Sequence, residues 1–301
     1  MLRSPLSGFI DSLACTLLPA SCTLCGTPQP RLSSVPICSA CWQEILPSRN
    51  PHCTRCSDAI DLSAFPLTAP AGAVCRTCRL APPPFERAVA FGPYTGRMRS
   101  AIFAFKYQGL RPAARRLGDR LAEAIATLAP EAPPELLVIP VPLHRSKFRR
   151  RGFNQSALLA EHALHRLRHT HPRWRLTLAP GLLQRHRATV SQTGLTRHQR
   201  RANVRNAFAV PSPQAVKDRD LLVIDDIITT GATARSAARA LLNAGARTVY
   251  FAALARAGRN ASSFDSGIEL RNLHLAPPDA SFEKPALIPI RLYKRPLTEL
   301  D

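Results

Sequence analysis

Between residues 85 and 258, short apolar runs alternate with segments whose apolar residues recur at helical spacing. "DLLVIDD" is too short for a solvent-facing helix and reads as a buried strand. "TARSAARALLNAG" carries the helical period and stops at a glycine, and "RTVYFAALAR" is the next strand. Strand, loop, helix, glycine and strand make a βαβ unit from Leu221 to Ala253, which demands a parallel sheet with helices on its faces. The same reading predicts a strand over Arg87–Tyr94, a short helix in "MRSAIFAFKYQG" ended near Gly109, and a helix over Ala113–Leu128 through Leu117, Leu121, Ala124, Ile125 and Leu128. "ELLVIPVPL" is a further buried strand. Asn154–Leu167 is a helix expected to face inward with Ala157, Leu158, Ala160, Leu164 and Leu167. "AFAV" is a short-strand candidate, the stretch Thr170–Asn206 is polar and basic, and no internal repeat stands out.

Composition divides the chain into residues 1–80, a Cys-rich region; 85–258, the main domain; and 259–301, a Pro-rich extension. Pro285, Pro289 and Pro296 each remove a donor from any ladder in the extension, whose role stays open. The first residues read as a short amphipathic helix closed by Pro19 rather than a secretory signal. The 301 residues are 45% hydrophobic, which excludes global disorder. No apolar run approaches the roughly 18 residues of a membrane span. Lys+Arg 41 against Asp+Glu 20 leaves +21, a charge suited to polyanionic partners: nucleic acid, phosphorylated metabolites or an acidic membrane surface. Residues 145–205 alone hold fifteen Lys/Arg against one acid, Glu161.

All nine cysteines fall between Cys15 and Cys78, and eight form the C-x-x-C pairs Cys22/Cys25, Cys38/Cys41, Cys53/Cys56 and Cys75/Cys78. Thiolates at this spacing suit tetrahedral zinc better than disulfides, and an all-Cys shell leaves no open position, so the one or two zinc ions expected are structural. Sequential pairing of the C-x-x-C units is simplest; an interleaved arrangement and a single occupied site stay open. Gly26 after Cys25 fits a tight turn at the metal. Cys15 reads as a small buried hydrophobe. Reduced thiolates place the protein in a reducing cytoplasm.

The chemical centre is "DLLVIDDIITTGATARSAARAL". Asp225 and Asp226 are expected at the C-terminal edge of the sheet, where open α/β sheets bind ligands, and suit ribose hydroxyls or hydrated magnesium. Thr229, Thr230, Gly231, Ala232 and Thr233 then precede a helix: small residues, hydroxyls and a helix N-terminus make a phosphate cradle. The spacing fits neither a G-x-x-x-x-G-K-[ST] loop nor a G-x-G-x-x-G turn.

This segment resembles the signature of type I phosphoribosyltransferases for 5-phosphoribosyl-1-pyrophosphate (PRPP). The order of paired C-x-x-C units, "PPPFERAVAFGPYTG", "IFAFKYQG", "VIPVPLHRSKFRRRGFNQS", "SQTGLTRHQRRANVRNAF" and the signature is similar to the ComF/ComFC family of competence-associated proteins, over roughly Cys22 to Arg256. The resemblance implies a type I phosphoribosyltransferase-like α/β fold, a parallel sheet flanked by helices, behind a small zinc-binding region. It implies that Asp225 and Asp226 contact the ribose hydroxyls and that Thr229 to Thr233 bind the 5-phosphate, with magnesium held largely by PRPP. It assigns His144, Lys147, Arg149, Arg151, Gly152, Asn154 and Gln155 to the pyrophosphate side, Ser191 to Asn203 to a hood, and Lys106 to the cleft. Arg149, Arg151 and Lys106 join the acids as catalytic candidates and Lys147 as a PRPP contact; Asn154 and Gln155 also suit a helix cap.

Phosphoribosyl transfer needs positioning and charge neutralisation more than a reactive side chain, and no acceptor base is identifiable. The resemblance implies DNA uptake as the process, with single-stranded DNA and a competence helicase-type protein as partners. A non-catalytic DNA-binding protein on the same fold is the alternative, and an adaptor built on the zinc modules a third. Aromatics are only 6% of residues, so no extended stacking platform is expected; Trp174, Phe148 and Phe153 are the aromatic candidates in the basic region.

Overall fold

The computed structural model describes residues 21–29, 33–60, 72–186 and 207–258. The expected N-terminal helix, the Ser191–Asn203 hood and the C-terminal extension lie outside the described residues.

Five parallel strands form one sheet in the order β1-β7-β6-β2-β3: β1 Ala88–Pro93, β2 Glu135–Pro140, β3 Arg175–Leu178, β6 Asp220–Ile228 and β7 Thr248–Arg256. A two-stranded antiparallel pair, β4 Gln184–Arg185 and β5 Phe208–Ala209, stands apart. Successive side chains of a strand point to opposite faces, and β6 shows the result. Leu222 and Ile224 enter one core with α3 Gly96–Tyr107, α4 Ala114–Ala126 and α6 Gln155–Thr170, whereas Leu221 and Val223 enter a second core with α7 Ala232–Asn243. A sheet buried on both faces reads as the near-continuous apolar run seen in the sequence.

Two predicted features differ. Helix α6 buries Leu159, Ala160, Ala163, Leu164 and Leu167, while Ala157 and Leu158 are only partly covered. The contact face is set by α4, where Gly118 lies so close that a Cβ would come within 2.5 Å of His162 Cβ. The stretch beginning at Thr170 also contains β3, an edge strand with exposed Arg175 and Thr177.

The Cys-rich region is built twice from one plan, contrary to the expected absence of a repeat. In each copy the first C-x-x-C forms a turn closed by two bonds, Cys22 N–H to Thr27 O and Gly26 N–H to Cys22 O, matched by Cys53 N–H to Asp58 O and Ser57 N–H to Cys53 O, all 2.8 Å. Gly26 sits at φ +75° and Ser57 at φ +56°, so the second copy places a non-glycine residue in the left-handed region at the same point. In each copy a later cysteine stands at the N-cap position of a short helix, Cys38 before α1 Ser39–Gln43 and Cys75 before α2 Arg76–Leu80, with the Cys38 sulfur accepting from Cys41 N–H.

The first copy packs through Cys22, Cys41, Trp42 and Ile45 into the core of α3, α4 and α6. The second packs through Cys53, Cys56 and Cys78 into the core of α7. Among the described residues no helix is long and apolar enough to cross a membrane.

Candidate functional site

The β2 connection runs through α6 outward to β3, and the β6 connection runs through α7 in the other direction to β7. The crevice between the ends of β6 and β2 is therefore the topological switch point, where doubly wound sheets bind ligands. Pairing with β2 ends at Ile224, whereas pairing with β7 continues to Ile228. Asp225 and Asp226 thus stand on β6 just where its β2 neighbour has turned away.

Asp226 is buried, and its Oδ2 lies 2.8 Å from Lys106 Nζ at the end of α3. Burial opposes the charge on Lys106, but Asp226, with Asp225 beside it, outweighs that cost and raises the lysine pKa. Asp225 Oδ1 accepts bonds from Ser156 Oγ at 3.1 Å and from the Asp226 amide at 2.9 Å. Burial and the neighbouring Asp226 charge nevertheless push its carboxyl up to about 7. One lysine faces two acids, and the second acid is held at a cost that a bound cation or hydroxyl donors would relieve.

Ser156 is delivered by the start of α6. Asn154 caps that helix, its Oδ1 accepting from Ser156 N–H at 3.0 Å and Ala157 N–H at 3.4 Å, while its Nδ2 donates to Val141 O at 3.1 Å. Val141 N–H in turn donates to Ile224 O at 2.8 Å, which ties the β2 exit to the strand carrying the acids.

The loop after β6 turns at Gly231, in the left-handed region at φ +75°, and opens α7. Thr230 Oγ1 accepts from Ala232 N–H at 3.3 Å, folding the loop back on itself ahead of the helix N-terminus. A Cβ at Gly231 would meet nothing within 4 Å, so its glycine serves backbone conformation rather than packing.

A cationic wall faces the acids. Residues Arg145–Arg151 form a short helix, α5. Arg151 donates to Gln155 Oε1 at 3.0 Å and to Tyr107 Oη at 3.1 Å, and its guanidinium lies 4.9 Å from the Tyr107 ring centroid. Burial, with Arg185 and Arg151 nearby, lowers Lys147 to about 8, and burial also lowers Arg185 despite the attraction of Asp225. Cations held out of water, Lys147 also against its cationic neighbours, suit an anion.

Of the residues singled out in the sequence, Lys106, Asp225 and Asp226 meet directly, Lys147 and Arg151 lie on the wall, and Thr229 to Thr233 form the turn. His144 caps α5, its Nδ1 accepting from Ser146 N–H at 3.3 Å, and Gly152 ends that helix at φ +74°. Arg149 is exposed on α5. Ser156, although it closes the quoted "VIPVPLHRSKFRRRGFNQS" segment, and Arg256 are not among the sequence candidates, and Arg185 enters there only as one of the fifteen cations of the basic stretch.

The cysteine clusters complete the picture. Cys22, Cys25, Cys38 and Cys41 gather in one group and Cys53, Cys56, Cys75 and Cys78 in another, each with sulfur atoms within 4.8 Å of one another. Pairing is sequential. Cys22–Cys41, Cys25–Cys38 and Cys56–Cys75 sulfurs lie 3.8, 3.7 and 3.7 Å apart. A tetrahedron with metal–sulfur bonds of about 2.3 Å has edges of about 3.8 Å, so both groups fit a tetrahedral metal. Backbone amides stabilise the thiolates: Cys38 N–H points at Cys22 Sγ at 3.3 Å and Cys75 N–H at Cys53 Sγ at 3.2 Å.

Residues 13–79 match the double zinc ribbon domain family and residues 176–267 the phosphoribosyl transferase domain family. The "DNA utilization protein YhgH" of Salmonella typhi is 30% identical over 241 residues, covering 79% of this chain and 98% of that protein. "Competence protein F" of Haemophilus influenzae is 29% identical over 227 residues, covering 73% and 90% respectively. A solved hypoxanthine phosphoribosyltransferase from Staphylococcus aureus covers 47% of this chain and 61% of its own, at 16% identity and a TM-score of 0.28. A twice-built four-cysteine region in front of a parallel sheet with acids at its switch point, and relatives matched over almost their whole length, make this chain a member of the ComF/ComFC family.

Proposed function

We propose that the protein binds PRPP or a related sugar phosphate with magnesium at the β6–β2 switch point, as a phosphoribosyltransferase-like protein linked to DNA uptake. The observation that carries the reading is the adjacent pair of half-buried Asp225 and buried Asp226, next to a small-residue turn, with Lys106 Nζ 2.8 Å from Asp226 and the Asp225 carboxyl pushed up to about 7. Ribose hydroxyls donating to the two carboxylates would lower the cost of Asp225, and Thr229 to Thr233 would hold the 5-phosphate. Arg151, Lys147 and Arg149 would face the pyrophosphate, where leaving-group charge develops. Magnesium, held mostly by PRPP oxygens and water, would neutralise part of that charge. Zinc in both cysteine groups is structural, since four thiolates leave no open position.

Calorimetric titration of the full chain with PRPP at millimolar magnesium is expected to give saturable binding that Asp226→Asn reduces by about a hundredfold. Absence of binding by the native chain would remove the reading.

A second reading, capture of single-stranded DNA, is favoured by an exposed ridge beside the cleft. Phe103 and Tyr107, one turn apart on α3, are 49% and 50% exposed with ring centroids 5.0 Å apart, and Arg151 stacks on Tyr107. Aromatic faces with interleaved cations are what unstacked bases require. Phe103, rather than the anticipated Trp174 or Phe153, is then the stacking residue: both of those pack against the core, and only Phe148 stands exposed. Phe103→Ala should weaken oligonucleotide binding about tenfold and leave PRPP binding unchanged. Affinity should also drop about tenfold or more between 50 and 200 mM salt. A salt-independent midpoint would contradict the reading, as would an unaltered Phe103→Ala protein. A competence helicase-type partner follows from the family alone.

A further inference from the structure

The two cysteine groups differ in one respect that their shared plan does not explain: the second is fastened to both ends of the turn that follows β6. At the near end, Arg256 of β7 is buried and donates from Nη1 to Thr229 O, while its Nη2 lies 3.4 Å from Asp58 Oδ1. Asp58 is itself buried and belongs to the second knuckle; its carbonyl accepts from Cys53 N–H at 2.8 Å. At the far end, Arg235 in the first turns of α7 donates to Ala81 O at 2.9 Å and Pro82 O at 3.0 Å, directly after α2, which carries Cys78. The first group is fastened elsewhere: Arg97 of α3 donates to Leu24 O at 2.9 Å and to Glu44 Oε2 at 3.1 Å.

We propose that the second metal centre is the outer support of the phosphate turn, with Arg256 and Arg235 as positioning residues, so that metal occupancy at Cys53, Cys56, Cys75 and Cys78 and sugar-phosphate binding at Thr229–Thr233 reinforce each other. The inference rests on the PRPP reading of that turn. The planar, permanently charged guanidinium of Arg256 bonds the Thr229 carbonyl with one arm and pairs its charge with the buried Asp58 carboxylate through the other, which links the two. A zinc ion held by four thiolates carries a formal charge of about −2, and the Arg256 cation beside it complements that charge. Without a metal, the knuckle that presents Asp58 and the helix that presents Ala81 lose their common anchor. The turn then has its conformation to find on binding rather than before it, which weakens affinity through the ordering cost. Coupling between two sites is reciprocal, so a sugar phosphate that orders the turn must also hold the second metal.

The test uses the zinc-loaded full chain. A zinc chelator and a thiol-alkylating reagent are added with and without PRPP and magnesium, and modification of each cysteine is followed by peptide mass mapping. PRPP is expected to slow alkylation of Cys53, Cys56, Cys75 and Cys78 about tenfold and to leave Cys22, Cys25, Cys38 and Cys41 unchanged. Equal slowing at both groups, or at neither while calorimetry shows PRPP bound, overturns the proposal. Asp58→Asn and Arg256→Lys should each weaken PRPP binding about tenfold with both metals retained, whereas Arg97→Lys, which loosens the first group, should change it less than twofold. Native affinity in metal-loaded Asp58→Asn and Arg256→Lys proteins also overturns it. Should a variant lose its metals, the alkylation result on the native chain decides alone. Failure of the native chain to bind PRPP removes the sugar-phosphate reading, and this inference with it.

Discussion

Lys106→Met is expected to lower the stability of the unliganded protein by about 3 kcal/mol at pH 8 and by much less at pH 5. The ammonium lies 2.8 Å from Asp226 Oδ2, with both side chains less than one-sixth exposed. Removing it leaves two carboxylates side by side in a poorly solvated crevice, one of which titrates near 7 even with the lysine present. Protonation can substitute for the missing cation at pH 5 but not at pH 8. The folded acids then bind protons more tightly than the unfolded chain, so stability falls as pH rises. For a unit of this size the loss corresponds to a melting-temperature decrease of about 6–12 °C. Calorimetric scans at the two pH values check it, and an equal loss at both would show that the methylenes of Lys106, not its charge, hold the crevice together.

Asp225→Asn is expected to move the protein the other way: more stable, and a much weaker binder of PRPP. The Asp225 carboxyl, ordinarily near 3.8, titrates at about 7 because burial and the Asp226 charge disfavour its ionised form. Between about pH 4 and 7 the folded state holds this proton after the unfolded chain has released it, so the native protein loses stability as pH rises through that window and levels off above it. Asparagine cannot ionise, yet its carbonyl oxygen can accept the bonds from Ser156 Oγ and the Asp226 amide. The variant should therefore gain about 2 kcal/mol at pH 8 and little at pH 4. Its affinity for PRPP should fall about a hundredfold, since under the proposed function the charge that costs stability is the one that would meet the ribose and magnesium. Melting temperature against pH for both proteins checks the slope. A parallel pair of curves would mean that Asp225 is not a buried ionised acid.

How much of this was legible depends on how local each determinant is. Strands β6 and β7 and the helix between them declare themselves because both faces of the sheet are buried, and their side chains are apolar almost without break. The two acids stand out for the same reason, as charges in the interior of such a run. Strand β3 does not, because an edge strand presents Arg175 and Thr177 to solvent and its four residues are too few to establish a period. Helix α5 is equally silent: "RSKFRRR" has no buried residue, so its helical form owes nothing to an apolar stripe. The face that α6 presents is decided by the approach of Gly118 on another helix. Arg256 ends a strand that reads as ordinary core, and only the folded chain reveals that it faces an aspartate far away in sequence. Cysteine pairing is intermediate, since spacing allows several arrangements and the tertiary structure selects the sequential one.

The first knuckle also governs which ends of the sheet remain open to strangers. Strand β1 lies at the margin of the sheet, and the segment leaving α1 crosses it: Ser48 N–H occupies Phe91 O at 2.9 Å, and Leu46 O comes so near Gly92 that a Cβ there would approach it to 2.5 Å. An uncovered margin is a template for the margin of another molecule. A metal held by the first cysteine group would keep this cover in place, and so would work against self-association as well as for folding.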